Sequence, residues 1–311
     1  MTELDLARHS NLVDPRLHVW GWEIPVYLFL GGLAAGTMIL TSLLAMRRAE
    51  RSPALRWLAF AAPLLISVGM LALFLDLAHK SHVWRFYLAF RWSSPMSWGS
   101  WILVLVYPVT FLSALAGLDD AQAAKAVAWA GRLGLARLVI AGREIGKRRA
   151  ARLLRANLAV GVGLGVYTGV LLSTLGARAL WSSALLGPLF LVSGLSTGGA
   201  FLLLFPLAGE ERHDVARWDR AAMGLELALL ALFLVGLGTG GAAGYEAAGL
   251  LLGGPYTAPF WSLVVVGGLV VPLLLETLEA RLHLRFTVAT PALVLMGGLA
   301  LRFILVAAGQ A

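Results

Sequence analysis

Glu23 and Tyr27 stand one helical turn apart in an otherwise uncharged run, HVWGWEIPVYLFLGGLAAG from 18 to 36, which also carries His18, Trp20 and Trp22. A carboxylate beside a phenol can hydrogen-bond a carbonyl oxygen and give or take its proton. Inside an apolar run such a group is costly enough that function is its default reading. Three similar sets follow. Asp76 leads into His79, Lys80, Ser81 and His82, then Arg85, Arg91 and SPMSWGSW from 94 to 101, with Trp98 at its centre. Tyr167-Thr168-Gly169 precedes Arg178 and Trp181, and Glu246 precedes Tyr256. Apart from these, Glu226, Glu276 and Arg302 are single charges in or beside apolar stretches. They read either as a proton route or as structural pairs between helices.

Membrane helices are expected to hold these residues. Composition is 59% hydrophobic against 14% charged, and mean hydropathy is +0.81. Apolar stretches of about 20 residues, the length that spans a bilayer as helix, recur from residue 24 onward. They predict an all-α integral membrane protein with eight spans, near 24–46, 57–75, 97–118, 156–177, 184–207, 222–243, 258–275 and 286–309, a single membrane domain of two four-helix bundles. Residues 1–118 hold helices 1–3, 119–155 form a basic amphipathic segment of one or two helices on the inner surface, and 156–311 hold helices 4–8. Residues 1–17 mix Asp5, Arg8, Asp14 and Arg16 with no apolar core for a signal peptide, so the first span is expected to act as its own insertion signal.

Charge sets the orientation. The connections after spans 1, 3, 5 and 7 hold 18 of the 25 Lys and Arg residues, nine of them between Lys125 and Arg155. The positive-inside rule makes that side cytoplasmic and places both termini, the 78–97 loop, the 178–183 turn and the 244–257 loop outside. The net charge of +8 then reports topology and contact with anionic lipid, not nucleic-acid binding. All four polar sets fall at outer helix ends. A quinone head group would need little more than they offer: a hydrogen-bonding partner for each carbonyl, a proton-exchanging group and aromatic walls reachable from lipid.

Several chemistries are disfavoured. The chain has no Cys, which excludes disulfides and thiolate-held iron–sulfur clusters, so such chemistry must reside in another subunit. A bis-histidine haem needs two facing His inside the bilayer, and only His18 with His79 or His82 are placed to meet. A proton-coupled transporter would put charges at mid-membrane, and Glu226 is the residue favouring it. A passive anchor needs only a docking surface. Trp20, Trp22, Trp98, Trp101 and Trp181 also suit an interfacial aromatic belt, and Glu23 an ion pair with Arg16 or Arg91. Gly32 with Gly36 and Gly194 with Gly198 echo one another, as an internal repeat or as small residues that let helices pack closely.

Six segments in order resemble the NrfD family, the membrane subunits of polysulfide reductase and related respiratory complexes: WGWEIPVYLFLGGLAAG (20–36), LDLAH (75–79), SPMSWGSW (94–101), YTGVLLS (167–173) with Trp181, FLVSGLSTGGA (190–200) and LRFILVAAGQ (301–310). The resemblance implies an eight-helix subunit of the inner membrane with no haem, iron–sulfur cluster or other redox metal of its own, binding menaquinone or ubiquinone near the outer face. It implies a docked iron–sulfur subunit with four clusters and, beyond it, a catalytic subunit of molybdopterin type. Carried onto this chain, the quinone-reactive residues are Glu23, Tyr167 and Asp76. Among the expected quinone contacts, Tyr27 and the nearby His79 follow from the resemblance, and His18, Trp22, Trp98 and Trp181 come from the polar sets at the outer helix ends.

Overall fold

The computed structural model describes residues 20–48, 50–77, 79–88, 90–174, 178–282 and 287–311. Among them there is helix and no strand. Eleven helices are labelled here: α1 Glu23–Arg47, α2 Pro53–Asp76, α3 Pro95–Gly117, α4 Asp120–Gly131, α5 Ala136–Arg148, α6 Ala150–Ser173, α7 Leu186–Leu203, α8 Gly209–Thr239, α9 Ala242–Leu252, α10 Thr257–Leu282 and α11 Ala289–Gln310. Eight of these, all but α4, α5 and α9, are long and apolar enough to cross a membrane. With every backbone group bonded within its own segment, a helix satisfies the demand that hydrocarbon makes of a spanning chain.

Lipid gives apolar side chains no reason to leave it, so packing depends on how closely backbones approach. The central crossing shows this. In α1 and α7, 78% of the apolar window is enclosed by protein, against 28% in α10. The two meet through the glycine pairs: a methyl on Gly194 would lie 2.7 Å from the Gly32 carbonyl oxygen, and one on Gly198 2.6 Å from the Gly36 carbonyl carbon. The two echoing motifs are therefore the two faces of one contact. Around this crossing α1 packs against α2, α6, α7 and α11, while α3 packs on α6 and α8 on α7.

At the basic end, side chains hold the connections. Arg48 donates to the Asp214 carboxylate (Nη2 2.6 Å, Nε 3.1 Å), tying the α1–α2 connection to α8. That hydrogen bond also holds the guanidinium above its ordinary pKa. Ser52 caps α2, and its own N–H donates to buried Glu211 (2.8 Å). Asp119 and Gln122 form a capping box at α4, and Arg56 pairs with the Asp119 carboxylate. The segment between the third and fourth spans is the helical hairpin α4–α5. Gly142 of α5 sits against Leu115 of α3, and Gly146 against Ala116.

Two boundaries differ from the sequence expectation. Helix α8 starts at Gly209, not near 222, because Glu211 and Asp214 are paired across helices and so extend it instead of opening a loop. The stretch 244–257, expected as a loop, holds most of α9. Within α10, Phe260–Val270 is wound as a π-helix, and along it Gly268 meets Gly297 of α11.

Candidate functional site

Glu23 and Tyr27 open α1, Asp76 closes α2, and Tyr167 lies near the corresponding end of α6. The structure brings these four together. The Asp76 and Glu23 carboxyls lie within coulombic reach of each other, as do the phenols of Tyr27 and Tyr167. Tyr27 is 1% exposed and Tyr167 7%, whereas Glu23 and Asp76 are half-buried. Space for the Tyr167 ring is made by Gly99, in the middle of SPMSWGSW, where a methyl would overlap the ring. The other glycines around Tyr167 are filled by helices: a methyl on Gly161 would lie 3.1 Å from Met38 Cβ in α1, and one on Gly165 2.7 Å from Leu191 in α7.

Chemically, the arrangement gathers two carboxyls and two phenols at one end of the helices. The phenols can donate to or accept from a carbonyl or hydroxyl oxygen, and the carboxyls can hold a proton or give one up.

The remaining expected contacts spread around this core. His79 is exposed and lies edge-on to His82, ring centres 6.3 Å apart. Trp98 is exposed, and His18 lies outside the described residues. Trp181 is buried: its Nε1 donates to the Leu305 carbonyl (2.8 Å), its ring stacks near Trp20 at 5.2 Å, and Gly309 makes room for the indole. Trp22, exposed, lines a separate cavity of about 220 Å³ with Trp20, Pro25, Tyr256, Phe303 and Gln310. Glu246 is exposed.

A second polar set lies in the carboxy-terminal half. Arg302 is fully buried, donating to Ser193 Oγ (2.6 Å) with its guanidinium 4.4 Å from the Phe190 ring centre. Glu226 lies within reach of the same serine and arginine. Two turns along α8, Asp219 faces Glu276, with Arg220 3.9 Å from the latter. Both carboxyls are 1% exposed, and none of their oxygens completes a hydrogen bond. The sequence reading named Glu226, Glu276 and Arg302 and missed Asp219, having placed it in a connection. Its seven-residue spacing from Glu226, which puts both on one helix face, was the available signal. Among the described residues no three His, Asp or Glu side chains gather as metal ligands.

Comparison with known proteins accords with this architecture. The family model for polysulphide reductase, NrfD, matches residues 7–311. A polysulfide reductase component of Wolinella succinogenes is 32% identical over 308 residues, covering 94% of both proteins. Protein NrfD of Escherichia coli is 31% identical over 306 residues, covering 94% of this protein and 95% of its own length. A selenate reductase component of Mesobacillus selenatarsenatis is 25% identical, covering 70% of this protein and 57% of its own length. With a family model matched along almost its whole length and eight spanning helices, this chain belongs to the NrfD family of reductase membrane subunits.

Proposed function

We propose that the protein is the quinone-reactive membrane subunit of a respiratory oxidoreductase, exchanging electrons between membrane quinone and an iron–sulfur partner at the aromatic ends of α1, α2 and α6. That partner, with four clusters, would connect to a catalytic subunit of molybdopterin type. The observation that carries this reading is the convergence of Glu23, Asp76, Tyr27 and Tyr167 at one end, where Gly99 admits a phenol ring. The names of the relatives support it, since two are called components of reductases. In this reading Tyr167 and Tyr27 orient a quinone oxygen, Glu23 and Asp76 exchange its protons with water, and the exposed Trp22, Trp98 and His79 flank the entry. The basic ends face the cytoplasm and the site faces outward from the inner membrane.

In the assembled complex, Glu23→Gln and Tyr167→Phe should each lower quinone-linked turnover at least about tenfold, a modest share of what positioned proton transfer contributes. Assembly and activity with a non-quinone dye should be unchanged. Wild-type quinone turnover and inhibitor sensitivity in both variants would remove the site. The orientation is checked separately: an impermeant thiol reagent outside should label Gly254→Cys and spare Arg148→Cys.

One observation favours a second activity, proton movement coupled through the carboxy-terminal half. Asp219 and Glu276 meet away from lipid with incomplete hydrogen bonding, and Glu226 and Arg302 continue the line. In proteoliposomes, loss of coupled proton movement in Glu226→Gln would support the conduit. Unaltered coupling would leave these residues as structural pairs.

A further inference from the structure

The carboxy-terminal half encloses two carboxyls against one cation. Asp219 of α8 and Glu276 of α10 face each other, and all four of their oxygens are buried without a hydrogen-bond partner. Beside them is Arg220, whose Nη1 lies 3.9 Å from Glu276 Oε2 and donates to the Glu276 carbonyl (3.5 Å). The buried Arg302 is taken up by Glu226 and Ser193. One arginine against two carboxylates leaves one negative charge inside the protein. A charge in such surroundings is too costly to stand alone and is met by a proton or by a bound cation.

Helix α7 supplies the third wall. Gly199 makes room for Asp219: a methyl there would lie 3.1 Å from Asp219 Cβ and 3.5 Å from its Oδ2. One turn before Gly199, on the same face of α7, stands Ser196, 0% exposed. A buried serine on a helix can satisfy itself by donating to the carbonyl four residues back, as the adjacent Thr197 does to Ser193 (2.9 Å). Ser196 does not: its Oγ has no hydrogen-bond partner and is directed at the Asp219 carboxyl. The segment FLVSGLSTGGA is thus divided between two tasks, Gly194 and Gly198 meeting α1 while Ser196 and Gly199 face Asp219.

Five oxygens from three helices, with no nitrogen or sulfur among them, form a donor set for a hard cation. The residual charge sets its valence. A monovalent ion brings the group to neutrality, whereas a divalent ion would leave a positive charge in the same enclosed place. The close approach of the two carboxyls suits sodium over the larger potassium. We propose that Asp219, Glu276 and Ser196 bind one sodium ion, which fastens α7, α8 and α10 together. Sodium and protons then compete for the same oxygens. None of these residues belongs to the Glu23 and Tyr167 site, so the sodium site stands or falls independently of the quinone reading.

The test uses the full-length protein in detergent at constant ionic strength, with sodium chloride exchanged for choline chloride. Equilibrium dialysis against radioactive sodium should retain one ion per chain. The unfolding midpoint should rise with sodium beyond its value in choline, as it does for any ligand that binds only the folded state, and potassium should raise it less. Ser196→Ala removes one ligand and should weaken sodium retention at least about tenfold. Asp219→Asn should abolish both the retention and the sodium-dependent rise, while Asp120→Asn at the surface should keep both. If Asp219→Asn does not fold, the wild type and Ser196→Ala still decide. No sodium retained by the wild type, a midpoint as high in choline as in sodium, or undiminished retention in Ser196→Ala would each overturn the site. In the first case the two carboxyls share a proton instead.

Discussion

The two halves of the molecule handle buried polarity in opposite ways. The amino-terminal half keeps formal charge at its ends: Glu23 and Asp76 at one, Arg51 and Arg56 at the other, with hydroxyls and one amide between. The carboxy-terminal half encloses ionisable groups, Asp219, Glu226, Glu276 and Arg302, each at most 2% exposed. A hydroxyl needs one or two partners and tolerates rearrangement, whereas an enclosed charge needs a counter-charge or a proton. The first half can therefore present changing hydrogen bonds to a ligand without losing its fold. The second stays stable only while its charges remain matched.

Four measurements test that contrast. The largest effect is expected in Arg302→Leu, which leaves Glu226 without its nearby cation. Removing one partner of a buried charge set costs about 3–5 kcal/mol, and the unfolding midpoint in detergent should fall accordingly. An unchanged midpoint would mean that the charges do not support one another. Next come two identical changes in different halves. Gly99→Ala drives a methyl into the Tyr167 ring and should cost about 1–3 kcal/mol of overpacking, together with quinone-linked turnover. Gly224→Ala, with nothing within 4 Å of the new methyl, should be neutral or slightly stabilising. Equal midpoints would deny Gly99 its part in seating the phenol.

A smaller loss is expected in Trp181→Phe, about 1 kcal/mol for the hydrogen bond to the Leu305 carbonyl, with turnover hardly altered. A tenfold loss of turnover there would extend the site toward α11. The smallest effect belongs to the surface. The Asp120 carboxylate is held below its ordinary value of 3.8, first by its hydrogen bond from Arg143 (2.7 Å). A depressed carboxylate stabilises the fold above that value and loses its contribution as pH falls through the lower, folded-state value. Proteolysis at the α4–α5 hairpin should therefore quicken only in strong acid, and Asp120→Asn should show no such dependence.

Much of this was legible in the sequence because membranes enforce it. Eight apolar runs became eight spanning helices, since hydrocarbon leaves few alternatives. Glu23, Tyr27, Asp76 and Tyr167 stood out because each interrupts or borders such a run. Asp219 was lost because dense charge from Glu210 to Arg220 resembles a connection when its partners on other helices are unseen. Tyr107 stayed hidden in an apolar run because only the fold shows Ser67 of α2 beside its hydroxyl, at 2.9 Å. The Gly32 and Gly194 motifs were readable in the sequence as an echo, but that they touch one another is visible only in the fold.

The clamp on Trp20 has a consequence for assembly in the cell. The Gln310 side chain accepts from the Trp20 N–H (2.9 Å) and donates to the Trp20 carbonyl (3.1 Å), joining residues 290 apart in sequence. Ribosomes deliver α1 first and α11 last. The turn that leads into Glu23 therefore waits, unfastened, until every other span has been inserted. Maturation of the site becomes a late event, coupled to completion of the eighth span, so a nascent or truncated subunit that lacks α11 would present a loosened entrance to whatever docks there.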